Sequence, residues 1–373
     1  MPERMYQVCT SCIMDTNTDS EITFDEWGVC NYCAAFAQQA RPALELTHTE
    51  EGKRLLNQTI DQLRHVGKDR EYDCILGLSG GVDSSYMAYV GKQLGLRMLA
   101  VHFDSGWNSE LAVNNIENIV KKLDIDLITW VVDWEEMRDL QLAFFKSSIA
   151  NCDVPQDHGF LAALYRVADQ HRIKYILNGA NLATEFILPK SREYNAGDLR
   201  HLLAIQRQFG SVKLHNYPTL SFFRRYVYYP FIRGIKVIRL LDLIPYNKEE
   251  AKHTIIQQLG WRDYGGKHYE SVFTRFFQGY YLLTKFGYDK RRAHLSSLIV
   301  SGQLQRGDAL EEMEDPPYPS PEKLRDDKEF VAKKLGLSIT EFDAIIALPP
   351  TTYKDYPSSE FLFNMKDWLL GRR

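Results

Sequence analysis

The stretch Asp73-Cys-Ile-Leu-Gly-Leu-Ser-Gly-Gly-Val-Asp-Ser-Ser85 limits what this chain can become more than any other. A short apolar run of strand length ends in a serine- and glycine-rich turn. The segment from Tyr86 to Leu94 follows, with apolar residues spaced three and four apart, the helical period. Backbone N–H groups at a strand-to-helix junction point at whatever sits above them, and the helix end favours an anion. Gly80 and Gly81 permit close backbone approach, and Ser79, Ser84 and Ser85 add hydroxyl donors. The pattern predicts a phosphate site, with a plain structural turn as the alternative. Neither GxxxxGK[ST] nor GxGxxG is present, so it is not the Walker loop or the dinucleotide turn.

A chain of 373 residues, 45% apolar and 25% charged, has room for one large core with satellites or for two domains. Its formal net charge of −4 gives no global argument for nucleic acid. No apolar run is long enough to span a membrane, and Met-Pro-Glu-Arg-Met-Tyr at the start lacks a signal peptide's apolar region. A cytoplasmic location without a membrane span is expected, leaving peripheral membrane contact open.

Four of the six cysteines fall in two CxxC pairs, Cys9/Cys12 and Cys30/Cys33, while Cys74 and Cys152 stand alone. Two such pairs complete a tetrahedral S₄ site, so structural Zn²⁺ is expected, ahead of an iron–sulfur cluster or reactive dithiols. A module this short has almost no core, and the ion would supply much of its folding energy.

Strand-like segments then alternate with helical ones: 97–107, 126–132 and 173–179 against 114–123, 137–145 and 160–171. That rhythm implies parallel βαβ units with ligands at the carboxyl ends of the strands. The expected fold is α/β, a parallel sheet with helices on both faces. The expected division is a zinc-binding four-cysteine module (1–40), a helical connector (41–70), a nucleotide domain (71–250) and a mainly helical substrate-binding region (251–373).

Three strand ends carry usable chemistry. At the first, Asp83 is a candidate for Mg²⁺ on a diphosphate. At the second, Asp104 either faces the ligand or caps its strand. At the third, Asn178-Gly-Ala-Asn-Leu-Ala-Thr-Glu185, Gly179 gives close backbone passage and Asn181 and Glu185 share one helix face. Glu185 either completes a metal site or serves as a helix N-terminal carboxylate. The aromatic- and arginine-rich stretch 218–230 either stacks bases or is a buried helix with arginines on its rim. Further on, Lys267, His268, Glu270 and Arg275, then Lys285, Lys290, Arg291, Arg292 and His294, either hold a diphosphate and a carboxylate or form a solvated face.

Ser-Gly-Gly-Val-Asp-Ser-Ser from Ser79 to Ser85, Val82 included, resembles the pyrophosphate loop of the N-type (PP-loop) ATP pyrophosphatases. That resemblance implies an adenine nucleotide alpha hydrolase-like fold, ATP with Mg²⁺, and cleavage between the α- and β-phosphates. Asp104, Gly179, Asn181 and Glu185 fall where that family lines its nucleotide.

The whole chain also resembles the N-acetyl sugar amidotransferases. The match rests on the paired cysteines, Ser79–Ser85, Asn178–Glu185, the stretch Gly-Gly-Lys-His-Tyr-Glu-Ser-Val-Phe-Thr-Arg-Phe-Phe-Gln, and Phe286-Gly-Tyr-Asp-Lys-Arg-Arg-Ala-His294. The resemblance implies that ATP activates an acetamido oxygen of a UDP-linked diacetamido uronic acid and that ammonia then gives the acetamidine. Ammonia would come from a separate glutaminase through a cyclase-like channelling subunit. Asp83, Lys267, His268 and Arg275 are the catalytic candidates, and Lys285, Arg291, Arg292 and His294 the substrate-binding ones. Neither isolated cysteine has a glutaminase setting, so the chain needs a partner or free ammonium. The rivals are a PP-loop tRNA thiolase and a non-catalytic, zinc-stabilised adenine-nucleotide sensor; an acidic chain argues mildly against nucleic acid.

Overall fold

The computed structural model describes residues 5–266 and 269–369. Five strands form one sheet: β1 (Cys74–Gly77), β2 (Met98–Asp104), β3 (Asp126–Val131), β4 (Tyr175–Leu177) and β5 (Lys236–Ile238). Their order is β3-β2-β1-β4-β5, and every pairing is parallel. The switch in strand order beside β1 opens a crevice above its carboxyl end, where ligands of such sheets bind.

Side chains alternate across the sheet. Cys74 and Leu76 of β1 pack with Leu63, Met87, Ile119 and Ile255 on one face. Ile75 packs with Val167, Ala168 and Tyr229 on the other. Helices Glu50–Gly67, Val82–Gln93, Glu110–Leu123 and Lys248–Leu259 thus cover one side, and Val154–Gln170 the other. A third core joins the helix Trp134–Ser147 to the helical carboxyl-terminal region. Phe145 is its hub, with edge contacts to Phe273, Tyr281 and Phe342 at 5.7, 5.1 and 5.3 Å.

Three helices begin before the first apolar repeat, two started by polar caps and one by a proline in its first turn. Ser109 accepts from the Ala112 N–H, moving one start from 114 to Glu110. Asp133 accepts from the Glu135 and Glu136 N–H groups, and Pro155 lies in the first turn of Val154–Gln170. The strand β5 has no counterpart in the sequence pattern: it is three residues long, at the sheet edge, and exposed at Lys236 and Val237. The stretch 218–230 becomes a wide π-type helical segment, Arg224–Ile232, with Pro230 inside it.

The cysteine module does not stand apart. Its cysteines share a core with Met14, Ile22, Ile187 and Ala293. Arg306 donates to the Cys12 and Cys9 carbonyls at 2.9 and 3.1 Å. Arg292 donates to the Ile13 carbonyl at 2.7 Å and pairs with Asp15 at 3.2 Å. The missing core is borrowed from the helix Lys290–Val300.

Candidate functional site

Gly81 caps the helix Val82–Gln93, so the first N–H groups of that helix open above β1. Gly80 has φ +85°, a conformation glycine adopts without a Cβ penalty. Its carbonyl accepts from Trp261 Nε1 at 2.8 Å and from the Tyr264 hydroxyl at 2.9 Å. Within the loop, the Ser79 and Ser84 hydroxyls lie 3.1 Å apart, and Ser85 Oγ donates to the Gly81 carbonyl at 2.7 Å. Short local bonds hold the loop's hydroxyls and backbone in place.

The loop forms part of a cavity of about 710 Å³. Ser79, Gly81, Val82, Asp83 and Ser84 line it from below, with Gly179 and Glu185 beside them. Gly179 packs beside the loop backbone, where a Cβ would lie in ordinary contact with the Ser84 nitrogen at 3.4 Å. The Tyr246 hydroxyl donates to Asp83. Burial first, then the charges of Asp83 and Glu185, hold the Tyr246 phenol well above its ordinary range, so both carboxylates bear on one spot. Mg²⁺ is ordinarily held by one or two carboxylates plus phosphate oxygens. Asp83 and Glu185 fit that donor set above the loop.

The upper wall comes from residues beyond 250: Asp263, Tyr264, Glu270, Thr274, Gln278, Lys290 and His294. His294 Nδ1 lies 3.2 Å from the Thr184 carbonyl and Nε2 lies 3.0 Å from Lys248 Nζ, a pattern that fits donation by Nδ1–H and acceptance at Nε2. His102, buried below, sits 3.0 Å from the Leu78 carbonyl through Nδ1 and 3.1 Å from the Asn108 amide through Nε2. Desolvation lowers its pKa, so this imidazole is neutral.

An acidic centre lies in the same cavity. Asp153 accepts from Gln156 and from Thr274 Oγ1, the latter at 3.4 Å. Asp157 lines the same cavity and is exposed to it. Desolvation by the surrounding cavity walls, then the Asp153 charge, push its carboxyl up to about 8. Lys290 faces this cluster and pairs with Glu193 at 3.0 Å. Burial lowers the Lys290 pKa, but Glu193, Asp153 and Asp157 outweigh that and leave it raised.

Several expected residues lie elsewhere. Asp104 is outside the cavity lining and accepts from the Gly106 N–H at 2.9 Å, the strand-end cap of its two alternatives. Asn181 is buried and caps Leu182–Glu185 through the Thr184 N–H. Arg275 is locked in a two-point pair with Asp327 at 2.7 and 2.9 Å. Lys285 donates to the Ile345, Ile346 and Leu348 carbonyls at the end of a helix. Arg291 pairs with Asp289 at 2.8 Å, and Arg292 holds the cysteine module. Of the substrate-binding candidates, only His294 lines the cavity. Lys267 and His268 lie outside the described residues. Sequence patterns gave no sign of Tyr246 or Lys248; for Asp153 and Asp157 the one available signal was two acids four apart around Pro155.

Cys9, Cys12, Cys30 and Cys33 form a buried cluster with sulfur atoms within 4.8 Å of one another. Neighbouring sulfurs are 3.6–3.8 Å apart. A tetrahedral Zn²⁺ with bonds of about 2.3 Å requires about 3.8 Å between sulfurs. The Ser11, Cys12 and Cys30 N–H groups donate to Cys9 Sγ, as suits a thiolate. The residues fit zinc.

Residues 55–157 match the family model "NAD synthase", and residues 270–370 match "LPS biosynthesis protein WbpG-like, C-terminal domain". A curated tRNA(Ile)-lysidine synthase from Chlamydia pneumoniae is 29% identical over 121 residues, 32% of this chain and 35% of that protein. The chain thus spans about a third of that relative's length. Among solved structures, an NH3-dependent NAD synthetase from Campylobacter jejuni has a TM-score of 0.30 at 15% identity, covering 42% of this chain and 72% of its own. An NMN synthetase from Francisella tularensis has a TM-score of 0.30 at 14% identity, covering 56% and 96%. Together, the loop and the two matched segments support a PP-loop ATP pyrophosphatase-type nucleotide domain joined to a carboxyl-terminal domain of the WbpG-like lipopolysaccharide-biosynthesis type.

Proposed function

We propose that the protein is an ATP-dependent amidotransferase that converts an acetamido group of a UDP-linked diacetamido uronic acid, or a related N-acetyl sugar, to an acetamidino group. The observation that carries this reading is the shared cavity. The loop of the nucleotide segment and the WbpG-like segment wall one space, Ser79, Asp83 and Ser84 facing Thr274, Gln278, Lys290 and His294. An activated nucleotide and its acceptor must meet in such a space.

In this reading the acetamido oxygen attacks the α-phosphorus of ATP and pyrophosphate leaves, giving an adenylated imidate. Ammonia then adds to the imidate carbon and AMP leaves. Atoms balance as sugar, ATP and ammonia in, acetamidino sugar, AMP and pyrophosphate out. Loop N–H groups and the Ser79 and Ser84 hydroxyls stabilise charge on the departing pyrophosphate. Mg²⁺, held by Asp83 and Glu185 with the phosphates, would supply Lewis-acid charge neutralisation. Lys248, held by one N–H to His294 Nε2, provides an ammonium donor at the cavity wall. Lys267 and His268 stay candidates for orienting the acceptor or moving its proton. Zn²⁺ on the four cysteines is structural in this scheme.

Ammonia would come from a partner glutaminase and its channelling subunit. The isolated cysteines support this. Cys74 is fully buried in β1, and burial pushes the Cys152 thiol up to about 12. Cys152 Sγ donates to the Phe144 and Ile149 carbonyls, both at 3.6 Å. Neither lines the cavity, which also weighs against a thiolase that carries sulfur on a cysteine. The stretch matching a tRNA(Ile)-lysidine synthase keeps an RNA acceptor as the second reading. Pyrophosphate release with ammonium and either UDP-diacetamido uronate or tRNA separates them: sugar-dependent release supports the proposal, and sugar-independent, tRNA-stimulated release overturns it.

A further inference from the structure

Two neighbouring helical segments leave apolar stripes open to solvent. On Glu360–Leu369, Phe361, Met365, Trp368 and Leu369 recur at i, i+4, i+7 and i+8, and all are exposed. Phe363, on the opposite side, is buried against Phe222 and Tyr226 with ring centroids 5.2 and 6.0 Å away. On the adjoining segment, Phe223, Val227, Phe231 and Ile232 are also exposed, Phe231 at 81% and Ile232 at 65%. Lys366 reaches across to the Tyr226 ring at 4.6 Å, and Phe223 and Ser359 line one groove, so the two segments pack together and border the same groove. An apolar face this large on a folded chain marks an interaction surface.

Its charge is one-sided. Pro218 to Leu241 contains Arg224, Arg225, Arg233, Lys236 and Arg239 and no acid. Arg233 and Arg239 pair with Asp169 and Asp242, whereas Arg224 and Lys236 make no ion pair among the described residues. Beside Phe222 and Phe223 lies a groove of about 340 Å³, lined by Leu203, Arg200 and Arg207. Both arginines are exposed and without an ion pair among the described residues. The groove's Asp198 is committed to the Arg200 and His201 N–H groups, the Tyr194 hydroxyl and the Ser359 N–H. On the terminal helix, Glu360 accepts from Tyr353 and Asp367 pairs with Lys366.

We propose that this face docks the protein on an anionic phospholipid surface, with Arg200 and Arg207 holding headgroup phosphate while Phe223, Phe231, Ile232 and Trp368 enter the acyl boundary. Basic residues beside exposed aromatic and aliphatic side chains are the composition of interfacial helices. Val227, Ile232, Met365 and Leu369 have no ring on which a base can stack, which disfavours single-stranded RNA. A second copy would bring like charges together across the rim. The inference is independent of the sugar reading.

The test is co-sedimentation of the full chain with vesicles of phosphatidylcholine alone and of equal parts phosphatidylcholine and phosphatidylglycerol. The protein is expected to pellet only with the mixed vesicles. Phe231→Ser with Ile232→Ser should lower partitioning about tenfold or more. Arg200→Gln and Arg207→Gln should each lower it about fivefold. All variants should keep wild-type circular dichroism and pyrophosphate release. Absent binding, equal binding to both vesicles, or an inert apolar double variant overturns the proposal. So does a tRNA mobility shift, or a dimer in light scattering, that the apolar substitutions abolish in the absence of vesicle binding.

Discussion

Asp157 holds its proton where an ordinary aspartate has lost it. Its carboxyl rises from 3.8 to about 8 through desolvation by the cavity walls and the Asp153 charge. Between about pH 4 and pH 8 the native chain keeps a proton that the unfolded chain releases. That group's contribution to stability is therefore full below about pH 4, falls as pH rises, and is lost above about pH 8. Asp157→Asn, which cannot ionise, should flatten the decline: thermal midpoints of variant and wild type should diverge between pH 5 and pH 8. Parallel pH profiles would contradict this. Asp157 also shows why some site residues were not legible in the sequence. The loop Ser79–Ser85 could be read because its own hydroxyls and N–H groups bond within seven residues. Tyr246, Trp261 and Tyr264 reach that loop from 163, 181 and 184 positions away, and no local pattern records such contacts.

At the scale of elements, basic side chains in the carboxyl-terminal region act mainly as fasteners. Arg275 and Asp327 are almost wholly buried, with side-chain exposures of 10% and 3%. Truncating one partner of such a pair costs about 3–5 kcal/mol by stranding the other charge. Arg275→Ala should fall toward the lower end in urea unfolding, because Tyr318 and Lys323 also hold Asp327. A variant with unchanged stability and depressed turnover would return Arg275 to the chemistry. The cysteine module is another fastener, gripping the helix that presents Lys290 and His294. Elemental analysis should find one zinc per chain. Cys12→Ser should lose it and speed amide exchange across Lys290–Val300, where retained protection and no zinc in the wild type would refute the assignment. The paired cysteines were legible because ligand spacing is local. Their packing partners were not, since Ala293 and Arg306 lie far along the chain. β5 was invisible for a different reason: a three-residue edge strand has too little burial to impose a pattern.

For the whole molecule, the sheet brings a phosphate loop to the floor of a cavity whose upper wall is built by the carboxyl-terminal region. Strand–helix alternation was enough to foresee the parallel sheet and its binding edge, because βαβ units repeat a regular pattern. The enclosure by residues beyond 250 depends on the aromatic core around Phe145, which no periodicity announces. Which acceptor this enclosure serves is the central question, and pyrophosphate release by the purified chain addresses it most directly. With ATP, Mg²⁺ and ammonium, release should depend on UDP-diacetamido uronate and yield equal amounts of AMP and acetamidino sugar. Release that ignores the sugar and responds to tRNA, or the absence of turnover despite ATP binding, would contradict the account.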